Sequence, residues 1–206
     1  MLGVYRYIPK LFEDHIPKLQ YKAGDLNESV IKMWQAVQQG WEPPKHCSEK
    51  QYNLLRKDGK SSAIKGYVGH QYSFGGQYFQ GYNLKYDNTK NPNSANRRIA
   101  TISQEIHDVK FTYGNYTQFS KLRGYVIYCD PPYISDSRYF DERGVRRSFD
   151  HDEFDIWCQK MSQNNIVFVS EYESRIPSVC VWTKGKADIV NNGRKASGVE
   201  NLYLVS

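Results

Sequence analysis

Apolar positions fall into two patterns along this chain, short unbroken runs and stretches with a helical period. Tyr125-Val126-Ile127-Tyr128-Cys129 runs without alternation straight into Asp130-Pro131-Pro132-Tyr133, which predicts a buried central parallel strand ending at a turn. Ile166 to Ser170 predicts a second buried parallel strand, Val179 to Trp182 another, and Asn201 to Val205 the last. Gln20 to Asp25 reads as a short strand ending in an acid, and Val109 to Tyr113 as a further strand. Val30, Ile31, Trp34 and Val37 share one face of a helix that Gly40-Trp41-Glu42-Pro43-Pro44 stops. A second helix is expected from about Ser48, carrying Glu49, Tyr52, Leu55 and Arg56, and a third from about Ser94 to Glu105. Asp150 with Glu153 forms a capping box that starts a further helix with Phe154, Trp157 and Met161 facing inward. Ile134 to Ser148 and Asn191 to Ser197 are polar and read as loops.

A length of 206 residues accommodates one α/β domain with an insertion and is short for two. No apolar run approaches the ~18 residues of a membrane span, and the start lacks a signal peptide's apolar core. The expectation is a soluble, intracellular protein without a membrane partner. A formal net charge of +6 together with 17 Tyr suits a nucleic-acid partner better than a membrane surface. The four Cys stand singly at 47, 129, 158 and 180, so neither a zinc site nor a disulfide framework is expected; Cys129 and Cys180 read as buried core thiols.

The residues after the central run carry candidate chemistry. Pro131 and Pro132 stiffen the turn and lack N–H groups, leaving the preceding carbonyls free to accept hydrogen bonds. Asp130 adds a carboxylate and Tyr133 a flat face. Acceptors beside a stacking platform at the mouth of a sheet suit a planar ligand with an exocyclic NH₂, such as a base flipped out of a duplex. Glycines at 66, 69, 75, 76 and 81 interleave with Tyr67, Tyr72, Phe74, Tyr78, Phe79 and Tyr82. These aromatics read mostly as a small core with glycine-permitted backbone crossings, leaving Ser73, Gly75 and Gly76 as candidates for site architecture. Lys85, Arg97 and Arg98, and further on Arg138, Arg146 and Arg147, are candidates for phosphate contacts. Glu171-Tyr172 follows an apolar run, where shaping a pocket and a purely structural role are equal readings.

Asp130-Pro131-Pro132-Tyr133 after a strand resembles the catalytic motif of the amino-methyltransferases that methylate adenine in DNA. The flanks narrow the resemblance to Dam-like DNA adenine-N6 methyltransferases, particularly the shorter phage and giant-virus members. They are Asp25-Leu26-Asn27 with Met33-Trp34, Gly40-Trp41-Glu42-Pro43-Pro44, Ser73-Phe74-Gly75-Gly76, Phe149-Asp150-His151 leading to Trp157-Cys158, Val169-Ser170-Glu171-Tyr172, and Gly198-Val199-Glu200-Asn201-Leu202. These pieces follow the family's order over most of residues 21 to 206.

The resemblance implies an S-adenosylmethionine-dependent, Rossmann-like α/β fold with a mainly parallel sheet, in a single domain 1–206 with a helical target-recognition insertion at 45–108. It implies catalytic roles for Asp130, Pro131, Pro132 and Tyr133. Gly3, Asp25, Asn115, Tyr116 and Asp130 would bind S-adenosyl-L-methionine, and Asp25 follows Gly3 at about the ~20-residue spacing of a ribose-binding acid. Ser73, Gly75, Gly76, Lys85, Arg97, Arg98, Arg138, Arg146 and Arg147 would face double-stranded DNA, and no metal is implied. Relative to the family the chain lacks the first strand, has Tyr5 where a second glycine is usual, and has Asn115 where Asp is usual. A catalytically weak relative kept as a DNA-binding or structural subunit, as a homodimer or beside a partner, is therefore the alternative. Methylation of RNA or of protein glutamine is a third reading, against which Asp130 and the flanks argue.

Overall fold

The computed structural model describes residues 20–86, 93–134, 138–141, 145–185, 190–191, 194–195 and 199–206. The chain divides into two compact units, one containing residues 20–115 with Phe140–Arg147, the other Tyr116–Tyr139 with Ser148–Ser206.

In the first unit β1 (Tyr21–Asp25) and β2 (Val109–Tyr113) pair in parallel, with Asp25 opposite Tyr113, so both strands end together. Between them in sequence come α1 (Glu28–Gln38), α2 (Glu49–Lys57), α3 (Ala63–Gln71) and α4 (Asn93–Ser103). Asn27 caps α1 by accepting from the Val30 N–H, and Ser48 with Gln51 forms a reciprocal capping box on α2. Val30, Ile31, Met33 and Val37 of α1 are buried, and Trp34 stacks on Phe111 of β2 with ring centroids 6.3 Å apart. Gln38 Nε2 donates to the carbonyls of Ile106 and Val109, tying the end of α1 to the start of β2. The core of this unit is largely aromatic: Tyr52, Tyr67, Tyr72, Tyr78 and Phe79 gather with Met33, Cys47 and Val68. The glycines allow it to close. A Cβ on Gly66 would stand 2.2 Å from the Ser29 carbonyl oxygen, and one on Gly69 would stand 2.3 Å from Tyr78 Cε2. The expected tight crossings are therefore present at these two positions.

The second unit is a sheet with one helix against it. Its order is β3 (Val126–Cys129), β6 (Ile166–Glu171), β10 (Val199–Val205), β7 (Ser178–Gly185). α5 (His151–Ser162) is capped by Asp150, which accepts from the Glu153 N–H at 2.9 Å. It buries Phe154, Trp157, Cys158 and Met161 against Ile127, Cys129, Val167 and Val205. Two short ribbons complete the described elements, β4 (Arg138–Phe140) with β5 (Arg146–Ser148), and β8 (Val190–Asn191) with β9 (Arg194–Lys195).

Several expectations are corrected. The four-stranded sheet is mixed: β3 and β6 are parallel, β10 lies between β6 and β7 and runs against both, and only β10 departs from the common direction. An apolar run marks a strand without giving its direction. β3 is an outer strand of this described sheet, not a central one, and Val126 is accordingly 44 % exposed. β7 also lies at an edge, so Val179, Val181, Trp182 and Cys180 are exposed where burial was expected. The segments 134–148 and 191–197 hold short paired strands within what was read as loop.

Candidate active site

Asp130 leaves the carboxyl end of β3 directly after the last ladder pair, Cys129 opposite Val169, and is exposed. Pro131, Pro132 and Tyr133 follow, each partly buried. Side chains from the neighbouring strands hold this turn. The Tyr133 hydroxyl donates to Glu200 Oε1 at 2.9 Å and lies 2.7 Å from Ser170 Oγ, while its ring meets Tyr172 edge to face with centroids 4.7 Å apart. Burial, opposed in part by the bond to Ser170, pushes the Tyr133 phenol well above its ordinary pKa. Ser170 and Glu200 are brought together by the antiparallel register of β6 and β10, where Leu202 stands opposite Ser170, and Ser170 Oγ donates to Glu200 Oε1 at 3.3 Å.

Glu171, buried at the end of β6, accepts from the Ile134 N–H at 3.0 Å and from the Tyr172 N–H at 2.8 Å. Burial pushes its carboxyl upward from the usual carboxylate value. Beside it a small cleft is lined by Pro131, Ile134, His151, Asp155, Glu171 and Arg175 among others. Arg175 bonds Asp152 and lies 3.5 Å from Asp155 Oδ2. Burial lowers the His151 pKa, and its Nε2 finds no partner among the described residues. In the sequence Ser170 and Glu200 stand only within flanking motifs. Their meeting depends on strand register, which no local pattern encodes.

Asp25 and Asn115 come together in the other unit. The Gly114 N–H bonds the Asp25 carbonyl at 3.0 Å just past the β1–β2 register, so both residues sit at the carboxyl ends of parallel strands. Asp25 Oδ1 accepts from the Asn27 N–H at 2.7 Å, and Asn115 is exposed. A carboxylate and an amide oxygen at this end of a parallel pair fit the hydroxyls and amine of a nucleoside. Tyr116, expected against a cofactor ring, is buried in the aromatic cluster of Phe149, Phe154 and Trp157. Burial pushes its phenol up to about 12. Gly3 lies outside the described residues.

The basic candidates separate by their surroundings. Lys85, Arg97 and Arg98 are exposed, and Arg147 holds Asp141 through Nε at 2.9 Å and Nη2 at 2.8 Å. Arg138 and Arg146 are placed only as positions in β4 and β5. Ser73 is buried, donating to the Gly69 carbonyl at 2.6 Å and lying 2.7 Å from the Tyr52 hydroxyl. It braces a loop whose exposed tip, Phe74-Gly75-Gly76, needs φ of +63° and +72° at the two glycines. Among the described residues no helix is long and apolar enough to cross a membrane, and no three His, Cys, Asp or Glu side chains gather as metal ligands.

A model of the D12 class N6 adenine-specific DNA methyltransferase family matches residues 72–176, a span that includes the braced loop and the turn after β3. No curated protein matches the chain.

Proposed function

Because the chain belongs to the D12 class N6 adenine-specific DNA methyltransferase family, we propose that it transfers the methyl group of S-adenosylmethionine to the exocyclic N6 amine of adenine in double-stranded DNA. The observation that carries this reading is the turn Asp130-Pro131-Pro132-Tyr133, fixed at the end of β3 by the bonds of Tyr133 to Glu200 and Ser170. An exocyclic amine is a poor nucleophile because its lone pair is delocalised into the ring. Asp130 and the Pro131 carbonyl accept its two N–H groups, favouring a pyramidal nitrogen, and Tyr133 presents its ring to the flipped base. The hydroxyl bonds keep that ring from turning, so positioning supplies much of the rate, of which oriented geometry can contribute ~7–11 kcal/mol.

S-adenosylmethionine, when bound, supplies an electrophilic methyl group. Asp25 would hold its ribose hydroxyls and Asn115 its adenine amine. Lys85, Arg97, Arg98, Arg138, Arg146 and Arg147 would meet phosphates, which set affinity without reading sequence. Ser73, Gly75 and Gly76 shape the loop that carries Phe74 toward the DNA.

The test is substitution of the exposed Asp130. Asp130→Ala should abolish formation of N6-methyladenine in unmethylated plasmid DNA while melting within about 2 °C of the parent. An active variant would sink the mechanism. Calorimetric titration separates the alternatives: S-adenosylmethionine binding supports the enzyme, whereas DNA binding without it supports an inactive DNA-binding subunit.

A further inference from the structure

The β3–β6 ladder stops at Cys129 opposite Val169. Beyond it Pro131 and Pro132 have no N–H to offer, so continued pairing cannot hold the turn to β6 through them. A side chain does so instead. Glu171 Oε2 accepts from the Ile134 N–H at 3.0 Å, and Oε1 accepts from the Tyr172 N–H at 2.8 Å. One oxygen therefore holds the chain leaving β3 and the other holds the chain leaving β6.

Three observations separate this from ordinary packing. Glu171 is 5 % exposed, and an acid is an unfavourable filler for such a place unless its oxygens are bonded. Both oxygens meet backbone donors, an arrangement a carboxamide cannot copy because it has one acceptor oxygen and turns an NH₂ toward the second N–H. The residue also lines the same cleft as Pro131 and Ile134, which flank Pro132 and Tyr133.

We infer that Glu171 is a positioning residue for methyl transfer, fixing the Ile134 backbone and thereby the direction in which the Asp130 carboxylate and the Pro131 carbonyl point. Glu200 and Ser170 fix the phenol of Tyr133 from the other side, so the turn is held at its backbone by one acid and at its ring by another. The proposal rests on the function proposed above.

The test compares the parent with Glu171→Gln and Glu171→Asp in steady-state methylation of unmethylated plasmid DNA, counting N6-methyladenine by mass spectrometry of the nucleosides. Glu171→Gln should lower kcat roughly tenfold or more while KM for DNA and for S-adenosylmethionine stays within about threefold. Glu171→Asp should recover part of kcat. Hydrogen exchange at the Ile134 amide should quicken in Glu171→Gln while the amides of β6 stay protected. An unchanged kcat, or a loss carried by KM alone, overturns the positioning role and leaves the methyltransferase reading intact. A parent protein that forms no N6-methyladenine overturns both.

Discussion

The Tyr133 hydroxyl donates to Glu200 at 2.9 Å across a sequence separation of 67 residues, tying the turn after β3 to the strand β10. Tyr133→Phe keeps the ring and removes this bond and the one to Ser170. Each partly buried bond is worth about 1 kcal/mol, so the variant should lose roughly 1–2 kcal/mol of stability in urea unfolding. A freed ring also loosens the base platform, and kcat should fall about tenfold or more. Unchanged turnover would mean that the hydroxyl serves the fold alone.

Tyr116 gives the opposite sign. Its hydroxyl is buried in the aromatic cluster and finds no partner among the described residues. Removing an unsatisfied buried hydroxyl is neutral to favourable, so Tyr116→Phe should raise stability by up to about 1 kcal/mol. The phenol is also raised by burial from its ordinary 10.0 to about 12. Below pH 10 both the folded and unfolded chains hold the proton and the contribution is complete. Between 10 and about 12 the unfolded chain ionises first, so stability falls as pH rises. Urea midpoints measured from pH 9 to 11.5 should decline less steeply for Tyr116→Phe than for the parent.

Gly66→Ala sets helix propensity against packing. In the interior of α3 the change gains about 1 kcal/mol of helix propensity. The new Cβ, however, would stand 2.2 Å from the Ser29 carbonyl oxygen, a backbone atom of α1 that cannot rotate away. Forcing the two helices apart costs roughly 1–3 kcal/mol or more. The net should be a lower denaturation midpoint; a stabilised variant would show that the crossing of α1 and α3 is looser than described.

Much of this was readable in the sequence, and the boundary follows physical lines. Local rules worked where the cause was local: Ser48 starts α2, Asp150 caps α5, and the glycines of α3 mark close contacts. The turn at Asp130 was legible because proline and an acid after an apolar run have few local alternatives. Direction and neighbours were not legible. The run Val179 to Trp182 could not say that β10 would separate it from β6, nor that its side chains would face water. For the same reason Glu200 stands in the sequence only as part of a flanking motif, since its partner Tyr133 is chosen by the β6–β10 register. Tyr116, which the resemblance puts against a cofactor ring, has the rings of Phe149, Phe154 and Trp157 around it, neighbours that no local pattern announces.

The position of β10 bears on how the protein is made. β7 precedes β10 in the chain, yet β10 lies between β7 and β6, so β7 cannot join this sheet until the ribosome has released the residues up to Val205. A nascent chain paused after β7 presents Val179, Val181 and Trp182 on an unpaired strand, a state open to mispairing and to chaperones. Glu200 arrives on the same strand. The turn bearing Asp130 is synthesised before β10, so Tyr133 can bond Glu200 only once that strand has been made.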